Sequence, residues 1–296
     1  MSQEMPVDPV PLADLSQAQS SFVLGVIGAA LLRDWYSGGP DQAARLAELA
    51  AAVRIVRPDG GDQTVPSELS VHDGYTEWAV TYDGPNPLIQ AEESFIRALL
   101  EPFLQPGMKT LDAACGTGRH TAWLRSQGCT TVGVDLTPAM LSHASAQMPH
   151  AAFVQGDLSA LPLSSRSVDA AICALALCHL PDMKPALREL SRVIRPGGRL
   201  LISDPHGRGA FAGGQGFYGP GGIARPRFVR NYHRQASEWI TAFVGCGFEI
   251  DACYEPRLDA ELAAAHPVSA YFPEAAAAAF IGLPFLWIWS VVLRAT

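Results

Sequence analysis

The segment that most constrains this chain is a glycine-containing loop between an apolar run and a helical pattern. Residues 111–120 read Leu-Asp-Ala-Ala-Cys-Gly-Thr-Gly-Arg-His. Gly116 and Gly118 let the backbone turn sharply and approach a ligand closely, and the following helix points its free N–H groups into the turn. Asp135 ends the next apolar run about twenty residues further on, a layout typical of a nucleotide-type cofactor site at the edge of a parallel sheet.

Length and charge limit the classes of protein that fit. A chain of 296 residues holds one large α/β domain with an appendage, or two small domains. The net charge of −8 argues against a general affinity for nucleic acid or for an anionic membrane. We therefore expect neither nucleic acid nor membrane as a partner.

The six cysteines form no C-x-x-C pair, and most lie in apolar runs. This usage is typical of buried, reduced thiols in a cytosolic protein and predicts no metal site. The N-terminus lacks a basic region followed by a cleavable apolar core, so a cytoplasmic location is expected. Two apolar runs, 22–32 and 280–293, are shorter than the roughly 20 residues that a membrane span needs, and indicate a core helix and a core strand.

The first third of the chain is predicted to be helical. Residues 15–36 and 41–56 are expected to form two helices, followed by a connector over 57–70 that is rich in proline and glycine. Asn86 and Pro87 are a typical N-cap and first helical residue, and predict a third helix that ends near Phe103.

From Met108 onwards strand patterns alternate with helical patterns, which indicates βαβ units and a mostly parallel sheet. The predicted strands are 109–114, 130–135, 152–155, 168–174, 199–204, 248–254 and 286–293. The expected division is an N-terminal helical extension or cap over 1–86 and a cofactor-binding domain over 87–296. The glycine-rich segment 204–235 is expected to cover the active site.

Four blocks of residues 108–206 resemble the core of class I S-adenosylmethionine-dependent methyltransferases, in the type 11-like subfamily that acts on small molecules. They are the loop at 111–118, Val-Gly-Val-Asp at 132–135, Gln-Gly-Asp-Leu at 155–158, and 190–204 with its Arg-Pro-Gly-Gly turn at 195–198. The resemblance implies a Rossmann-like sheet of seven strands with helices on both faces and an antiparallel last strand. It does not extend to residues 1–70.

The resemblance also assigns roles. The loop at 115–118 would hold the methionine and ribose parts of S-adenosylmethionine, Asp135 would accept hydrogen bonds from the ribose hydroxyls, and Asp157 would accept one from the adenine amine. An aromatic residue before the domain, Tyr82 or Trp78, would close over the cofactor, where a π face suits a sulfonium. The full set expected to bind the cofactor is Tyr82, Asp112, Ala114, Cys115, Gly116, Gly118, Asp135, Leu136, Asp157, Leu158, Ala174 and His179.

Several of these residues also have structural explanations. The glycines can serve the turn alone, Asp135 can cap the next helix, and Asp157 can be an ordinary turn aspartate. Asp112 either contacts the cofactor or fixes the loop, and His120 is either exposed or in contact with the cofactor. Tyr82 and Trp78 can simply pack in the core. Ala114 stands where many relatives have the first of three glycines, so we expect a slightly different loop path with binding retained.

The acceptor side is less constrained. His179, His206 and His233 are candidate proton acceptors. A base is not obligatory, since positioning alone can supply roughly 7–11 kcal/mol of the acceleration in favourable cases. The segments at 1–90 and 204–235 are expected to form the acceptor pocket; Phe211, Phe217, Tyr218 and Arg225 lie in the second, and Trp239, Tyr271 and Phe272 follow it.

The sequence therefore predicts an enzyme that transfers a methyl group from S-adenosylmethionine to an oxygen, nitrogen or carbon of a small molecule. A protein of the same fold that binds the cofactor without transferring methyl is the alternative. A nicotinamide-dependent oxidoreductase is disfavoured because Thr121 occupies the third glycine position of its fingerprint. The sequence is compatible with a homo-oligomer. It does not identify the methyl acceptor.

Overall fold

The computed structural model describes residues 17–37, 42–55, 67–208, 216–218 and 227–295. The chain divides into two compact units. The first comprises Met1–Ser67, Gly221–Arg227 and Arg257–Leu283, and the second Glu68–Pro220, Phe228–Pro256 and Pro284–Thr296. The division predicted above, into an N-terminal extension over 1–86 and a cofactor-binding domain over 87–296, is based on function rather than on contacts, and it stays a prediction.

The helices and strands are numbered here in chain order. The helices are α1 (Gln17–Ser37), α2 (Gln42–Ile55), α3 (Val71–Trp78), α4 (Pro87–Leu100), α5 (Arg119–Ser126), α6 (Pro138–Gln147), α7 (Lys184–Val193), α8 (Ala236–Gly245), α9 (Ala260–Ala264) and α10 (Pro273–Phe280). The strands are β1 (Ser67–Leu69), β2 (Lys109–Ala113), β3 (Thr130–Asp135), β4 (Ala152–Gln155), β5 (Val168–Ala174), β6 (Ile194–Pro205), β7 (Gly216–Tyr218), β8 (Arg227–Val229), β9 (Phe248–Tyr254) and β10 (Leu286–Leu293).

The second unit is built on a seven-stranded sheet with the order β4-β3-β2-β5-β6-β10-β9. Strands β2 to β6 pair in parallel, whereas β10 runs antiparallel to both β6 and β9. The predicted fold class, a mostly parallel sheet with an antiparallel last strand, is thereby confirmed. The order reverses between β2 and β5, so the carboxyl ends of these two strands flank the topological switch point.

Both faces of this sheet are covered by helices, as predicted. Alternate residues of β5 point to opposite faces, since side chains of a strand alternate. Ala171 and Cys173 belong to a core that includes residues of α7 and α8, while Ala170 and Ile172 belong to one that includes residues of α4 and α5. Two apolar layers therefore fix the sheet, and with it the ends of the strands.

Local signals set the starts and turns of these elements. The Asn86 side chain accepts hydrogen bonds from the N–H groups of Leu88 (3.1 Å) and Ile89 (3.3 Å), so α4 begins where predicted. Helix α7 ends at Val193 and β6 begins at the next residue, five residues before the predicted start of this strand. Gly197, within β6, has a φ of +80°, a left-handed conformation that favours glycine.

The first unit is helical and joins segments that are distant in the sequence. Helix α1 packs against α2 and α10, and Ile27 and Ala30 share a buried core with Ala275 and Ala279. The buried guanidinium of Arg45 lies within salt-bridge distance of Asp34, Glu48 and Glu274. Within the described residues, no helix combines the length and apolarity needed to cross a bilayer.

The structure adds features that the sequence pattern did not predict. Helix α3 occupies part of the region between the predicted connector and α4, and a three-stranded sheet has the order β1-β8-β7. All six cysteines are free, and four are buried. The expectation of burial was wrong for Cys253, which is exposed because β9 is an edge strand of the sheet.

Candidate functional site

A crevice of about 670 Å³, partly open to solvent, lies at the carboxyl ends of the central strands of the second unit. The described residues that line it are Val71, Tyr75, Tyr82, Ala114, Gly116, Asp135, Leu136, Thr137, Gly156, Leu158, Ala174, Leu175, Ala176, His179 and Leu180. Ala114 follows β2 and Leu175 follows β5, so the crevice is at the switch point, where ligands bind in open α/β sheets.

Strained backbone marks the same place. Ala114 and Leu175 have φ values of +58° and +53°, a region that non-glycine residues rarely occupy. Such conformations cost of order 1–3 kcal/mol and cluster at functional sites. Glycine adopts the positive φ found at Ala114 without this strain.

The glycine loop connects β2 to α5 and closes against β3. The N–H of Cys115 donates to the carbonyl of Val134 (3.0 Å), and Gly116 and Gly118 have φ values of +55° and +89°. A Cβ on Gly118 would lie 2.5 Å from the Met148 Cε atom, whereas one on Gly116 would meet only the Tyr82 ring, at 3.9 Å. Gly118 therefore serves packing, and Gly116 keeps the crevice open beside Tyr82.

Asp135 is the ionisable carboxylate among the described lining residues. Its Oδ2 accepts the N–H of Gly116 and its Oδ1 accepts the N–H of Thr137, each at 2.8 Å. Burial raises the pKa of Asp135, and these two N–H groups lower it in part. A carboxylate has about four acceptor positions, and these two N–H groups do not use all of them. The side chain therefore ties the loop to Thr137, the residue that precedes α6.

Asp112 and Cys115 are buried and do not line the crevice. Asp112 accepts the hydroxyl of Thr121 (2.7 Å), which fixes the loop to α5, and burial raises the pKa of its carboxyl group. Burial also raises the pKa of the Cys115 thiol. These contacts favour a positioning role for Asp112 over direct contact with a ligand.

A buried carboxylate below the loop was not predicted from the sequence. Glu92 on α4 accepts hydrogen bonds from Arg119 (2.5 Å) and Ser203 (2.6 Å), and His120 lies 3.5 Å away. Burial raises the pKa of Glu92, but His120, Arg119 and Ser203 outweigh burial and hold it at about 2. His120 is thus neither exposed nor at the crevice; with Arg119 it anchors the start of α5.

Asp157 and Leu158 follow β4. Leu158 lines the crevice, whereas Asp157 is exposed and its Oδ1 accepts both the N–H and the hydroxyl of Ser159, each at 2.7 Å. The described residues leave Oδ2 of Asp157 without a hydrogen bond. The turn thus fixes one oxygen and leaves the other for a ligand.

His179 and Tyr75 meet on the other side of the switch point. The Nε2 atom of His179 is 2.8 Å from the hydroxyl of Tyr75, and its Nδ1 is 2.9 Å from the carbonyl oxygen of Arg230. Burial lowers the pKa of His179, so the ring is neutral near pH 7. Tyr75 was not among the predicted site residues. The sequence does carry a signal for α3, the helix that contains Tyr75: Ser70 is followed three residues later by Asp73, a pattern typical of a helix start.

The other two predicted histidines are not among the residues that line the crevice. His206 accepts the N–H of Arg208 at Nδ1 (3.1 Å), so Nε2 carries the hydrogen and donates to Glu255 (3.0 Å). Its ring also stacks on Trp287, with centroids 4.1 Å apart. His233 lies between β8 and α8. His179 alone of the three predicted bases reaches the crevice.

The aromatic residues before the domain form a cluster at the crevice. The ring centroids of Trp78 and Tyr82 are 5.3 Å apart, and those of Tyr75 and Tyr82 are 6.1 Å apart.

Phe211 and Arg225 lie outside the described residues, as do the side chains of Phe217 and Tyr218. Eight predicted cofactor residues line the crevice together: Tyr82, Ala114, Gly116, Asp135, Leu136, Leu158, Ala174 and His179. Asp112, Cys115, Gly118 and Asp157 do not. The described residues contain no cluster of side chains that could hold a metal ion.

The fold and the crevice define a class: a doubly wound α/β protein with a crevice at its switch point, lined by a glycine loop and a following carboxylate. Residues 111–202 match the family model described as "Methyltransferase domain". A demethylmenaquinone methyltransferase of Beutenbergia cavernae is 32% identical over 133 residues, 44% of this chain and 55% of that protein. The methyltransferase GfsG of Streptomyces halstedii is 34% identical over 143 residues, 46% of this chain and 50% of that protein. The chain spans about half the length of these relatives.

Solved structures share the fold. An S-adenosylmethionine-dependent methyltransferase of Mesorhizobium loti superposes with a TM-score of 0.51 at 23% identity, covering 66% of this chain and 96% of that one. The [4+2]-cyclase SpnF superposes with a TM-score of 0.55 at 18% identity, covering 79% of this chain and 100% of that one. The chain is thus similar to S-adenosylmethionine-dependent methyltransferases, in sequence over residues 111–202 and in fold over the central sheet, as the sequence motifs predicted.

Proposed function

We propose that this protein transfers a methyl group from S-adenosylmethionine to an oxygen, nitrogen or carbon nucleophile of a small molecule by in-line displacement. The observation that carries the proposal is the paired use of Asp135. Its carboxylate holds Gly116 of the loop and still has acceptor positions directed at the crevice of a methyltransferase domain.

The residues present fit the cofactor. Gly116 leaves space where a side chain would face Tyr82, the Asp135 carboxylate lines the crevice as an acceptor for ribose hydroxyls, and Leu158 lines the crevice one residue after Asp157. When bound, S-adenosylmethionine supplies a methyl group already activated by the positive sulfur. The aromatic rings of Tyr75 and Tyr82 offer π faces to that positive charge.

The chain's own contribution is positioning. The loop, the carboxylate and the turn that carries His179 are held by buried hydrogen bonds, so the acceptor atom meets a preformed site. His179 is the candidate proton acceptor, because it lines the crevice and burial keeps it neutral.

A protein that binds the cofactor without transferring methyl is the second candidate, and it keeps the same loop. The likeness to a cyclase supports it at the level of fold only. Incubation of the purified chain with methyl-labelled S-adenosylmethionine and a panel of hydroxyl, amine and enol acceptors separates the two. Label in a product supports transfer; thermal stabilisation by S-adenosylhomocysteine without label in any product supports the second candidate.

A parallel thermal-shift series tests the cofactor itself. A ligand that binds only the folded state raises the melting temperature, so S-adenosylhomocysteine is expected to stabilise the protein while NAD and NADP do not. Stabilisation by a dinucleotide alone would contradict the proposal. The proposal includes a small-molecule acceptor rather than nucleic acid or a membrane. It is compatible with a homo-oligomer.

A further inference from the structure

The hydrogen bonds around His179 have a fixed direction. A carbonyl oxygen only accepts, so the contact with Arg230 places the imidazole hydrogen on Nδ1. Nε2 of the neutral ring is then an acceptor, and the hydroxyl of Tyr75 donates to it. The lone pairs of the Tyr75 oxygen remain available to accept a hydrogen bond from a ligand in the crevice.

Both members of this pair are held in place by the protein. The 3₁₀ turn Leu177–His179 is fixed by Arg234, whose guanidinium donates to the carbonyls of Leu177 (2.9 Å) and Leu180. The N–H of Tyr232 donates to the carbonyl of Cys178 (2.6 Å). Tyr75 lies on α3, and its ring meets the His179 ring edge-on with centroids 5.4 Å apart. These contacts fix the position of the His179 ring relative to Tyr75.

The surroundings of the pair favour an uncharged ligand. Burial lowers the pKa of His179 and raises the pKa of Tyr75 well above its usual range, so both groups are neutral. The described lining residues nearest in sequence to them are apolar: Val71, Leu175, Ala176 and Leu180. The described lining contains no lysine or arginine to pair with a carboxylate or phosphate acceptor. On this side of the switch point it also contains no carboxylate to pair with an ammonium.

We propose that Tyr75 and His179 form a proton relay for a neutral, hydroxyl-bearing acceptor with an apolar body, such as a phenol or an enol. The inference rests on the proposed methyl transfer and names its acceptor class. As the acceptor oxygen bonds to the methyl carbon, the carbon–sulfur bond breaks and its electron pair stays on sulfur. The hydroxyl proton passes to the Tyr75 oxygen, and the Tyr75 proton passes to Nε2 of His179. The positive charge lost by sulfur thus appears on the imidazole, which returns its proton to water.

The relay is tested first without any cofactor, by NMR of isotope-labelled histidine. The wild type is expected to show the Nδ1–H tautomer of His179. Tyr75→Phe is expected to raise the pKa of His179, because the lost hydrogen bond had favoured the neutral ring. Tyr254→Phe, the same change on the exposed edge strand β9, is the control and leaves that pKa unchanged. An Nε2–H tautomer in the wild type, or an unchanged His179 pKa in Tyr75→Phe, would overturn the relay.

The acceptor class is tested by calorimetry on the protein saturated with S-adenosylhomocysteine, with 1-naphthol and 1-naphthoate as probes. The neutral hydroxyl compound is expected to bind more tightly than the carboxylate. Tyr75→Phe is expected to lower the affinity for 1-naphthol about fivefold, the size of one neutral hydrogen bond. Equal or tighter binding of 1-naphthoate would overturn the acceptor class. Failure of S-adenosylhomocysteine to bind the wild type would instead refute the proposed function, so the two failures are distinguishable.

Discussion

The peptide N–H of Gly116 donates to the Oδ2 atom of Asp135 at 2.8 Å, across 19 positions of the sequence. This bond joins the loop after β2 to the end of β3, and it makes one carboxylate responsible for both the shape of the loop and the chemistry offered to a ligand. The second oxygen accepts the N–H of Thr137, the residue that precedes α6. The two N–H groups do not use all of the roughly four acceptor positions of a carboxylate, and Asp135 lines the crevice.

The two loop glycines are expected to respond differently to the same change. Gly118→Ala places a methyl group 2.5 Å from Met148 and 3.2 Å from Phe153 at a φ of +89°, so the free energy of unfolding should fall by about 2–3 kcal/mol. Gly116→Ala meets no such obstacle and should cost about 1 kcal/mol, yet it narrows the crevice beside Tyr82 and should weaken S-adenosylhomocysteine binding. Urea denaturation and calorimetry measure the two effects. The reverse order of stability would show that the loop is placed wrongly.

Ala114→Gly is expected to stabilise the protein. The left-handed backbone at Ala114 is strained for alanine and relaxed for glycine, which should raise the free energy of unfolding by up to about 1 kcal/mol. Ala113→Gly, one residue earlier in β2 and fully buried, is the matched control and should destabilise. Urea midpoints of the two variants should therefore move in opposite directions. A loss of stability in Ala114→Gly would refute the strain argument.

Asp157→Asn is expected to change the preference for the purine. The N–H of Ser159 fixes Oδ1, so the amide nitrogen would replace Oδ2 and face the adenine amine with a donor. The wild type should prefer S-adenosylhomocysteine over S-inosylhomocysteine, and the variant should reverse or lose this preference, a change of roughly 1–3 kcal/mol. Calorimetry with both compounds measures it, and Ser159→Ala controls for loss of the turn. An unchanged preference would show that Asp157 does not contact the base.

Asp204 predicts a pH dependence of stability. Burial raises the pKa of this carboxyl to about 7, although the Cys178 N–H and the Arg234 guanidinium lower it in part. Because the pKa of this group is higher in the folded than in the unfolded protein, its burial does not destabilise the fold below about pH 4, where the carboxyl is protonated in both states. The free energy of unfolding then falls as pH rises from about 4 to about 7. Asp204→Asn removes this dependence, so its stability relative to the wild type should grow over that range, by up to about 4 kcal/mol.

Urea titrations of the wild type and of Asp204→Asn at several pH values measure how the free energy of unfolding changes with pH. A constant packing cost of asparagine shifts the whole curve and leaves this dependence on pH unchanged. Asp259→Asn, which changes an exposed helix cap, is the control. Parallel stability curves for wild type and Asp204→Asn would contradict the raised pKa.

The sequence predicted the central sheet well because each of its strands carries a local apolar pattern bounded by turn residues. Strands β3, β4, β5, β9 and β10 have the predicted bounds. The glycine loop and Asp135 were found because a backbone that turns and a carboxylate that follows it are themselves local signals.

What the sequence did not predict depends on contacts between distant segments. Tyr75 reaches His179 across 104 positions, and Glu92 reaches Ser203 across 111. Three-residue strands such as β1 and β8 are too short to show a period. For His206, Glu255 and the N–H of Arg208 occupy both ring nitrogens, which the residue type alone did not indicate.

The measurement that bears most directly on the account is a calorimetric titration of S-adenosylhomocysteine into the wild type, Asp135→Asn and the control Asp259→Asn. One site per chain is expected in the wild type and in the control, with affinity reduced by roughly 1–3 kcal/mol in Asp135→Asn, the size of a lost hydrogen bond to a charged group. Circular dichroism establishes that the variant is folded. Absence of binding to the wild type, or equal affinity in all three proteins, would show that the crevice at Gly116 and Asp135 is not the cofactor site.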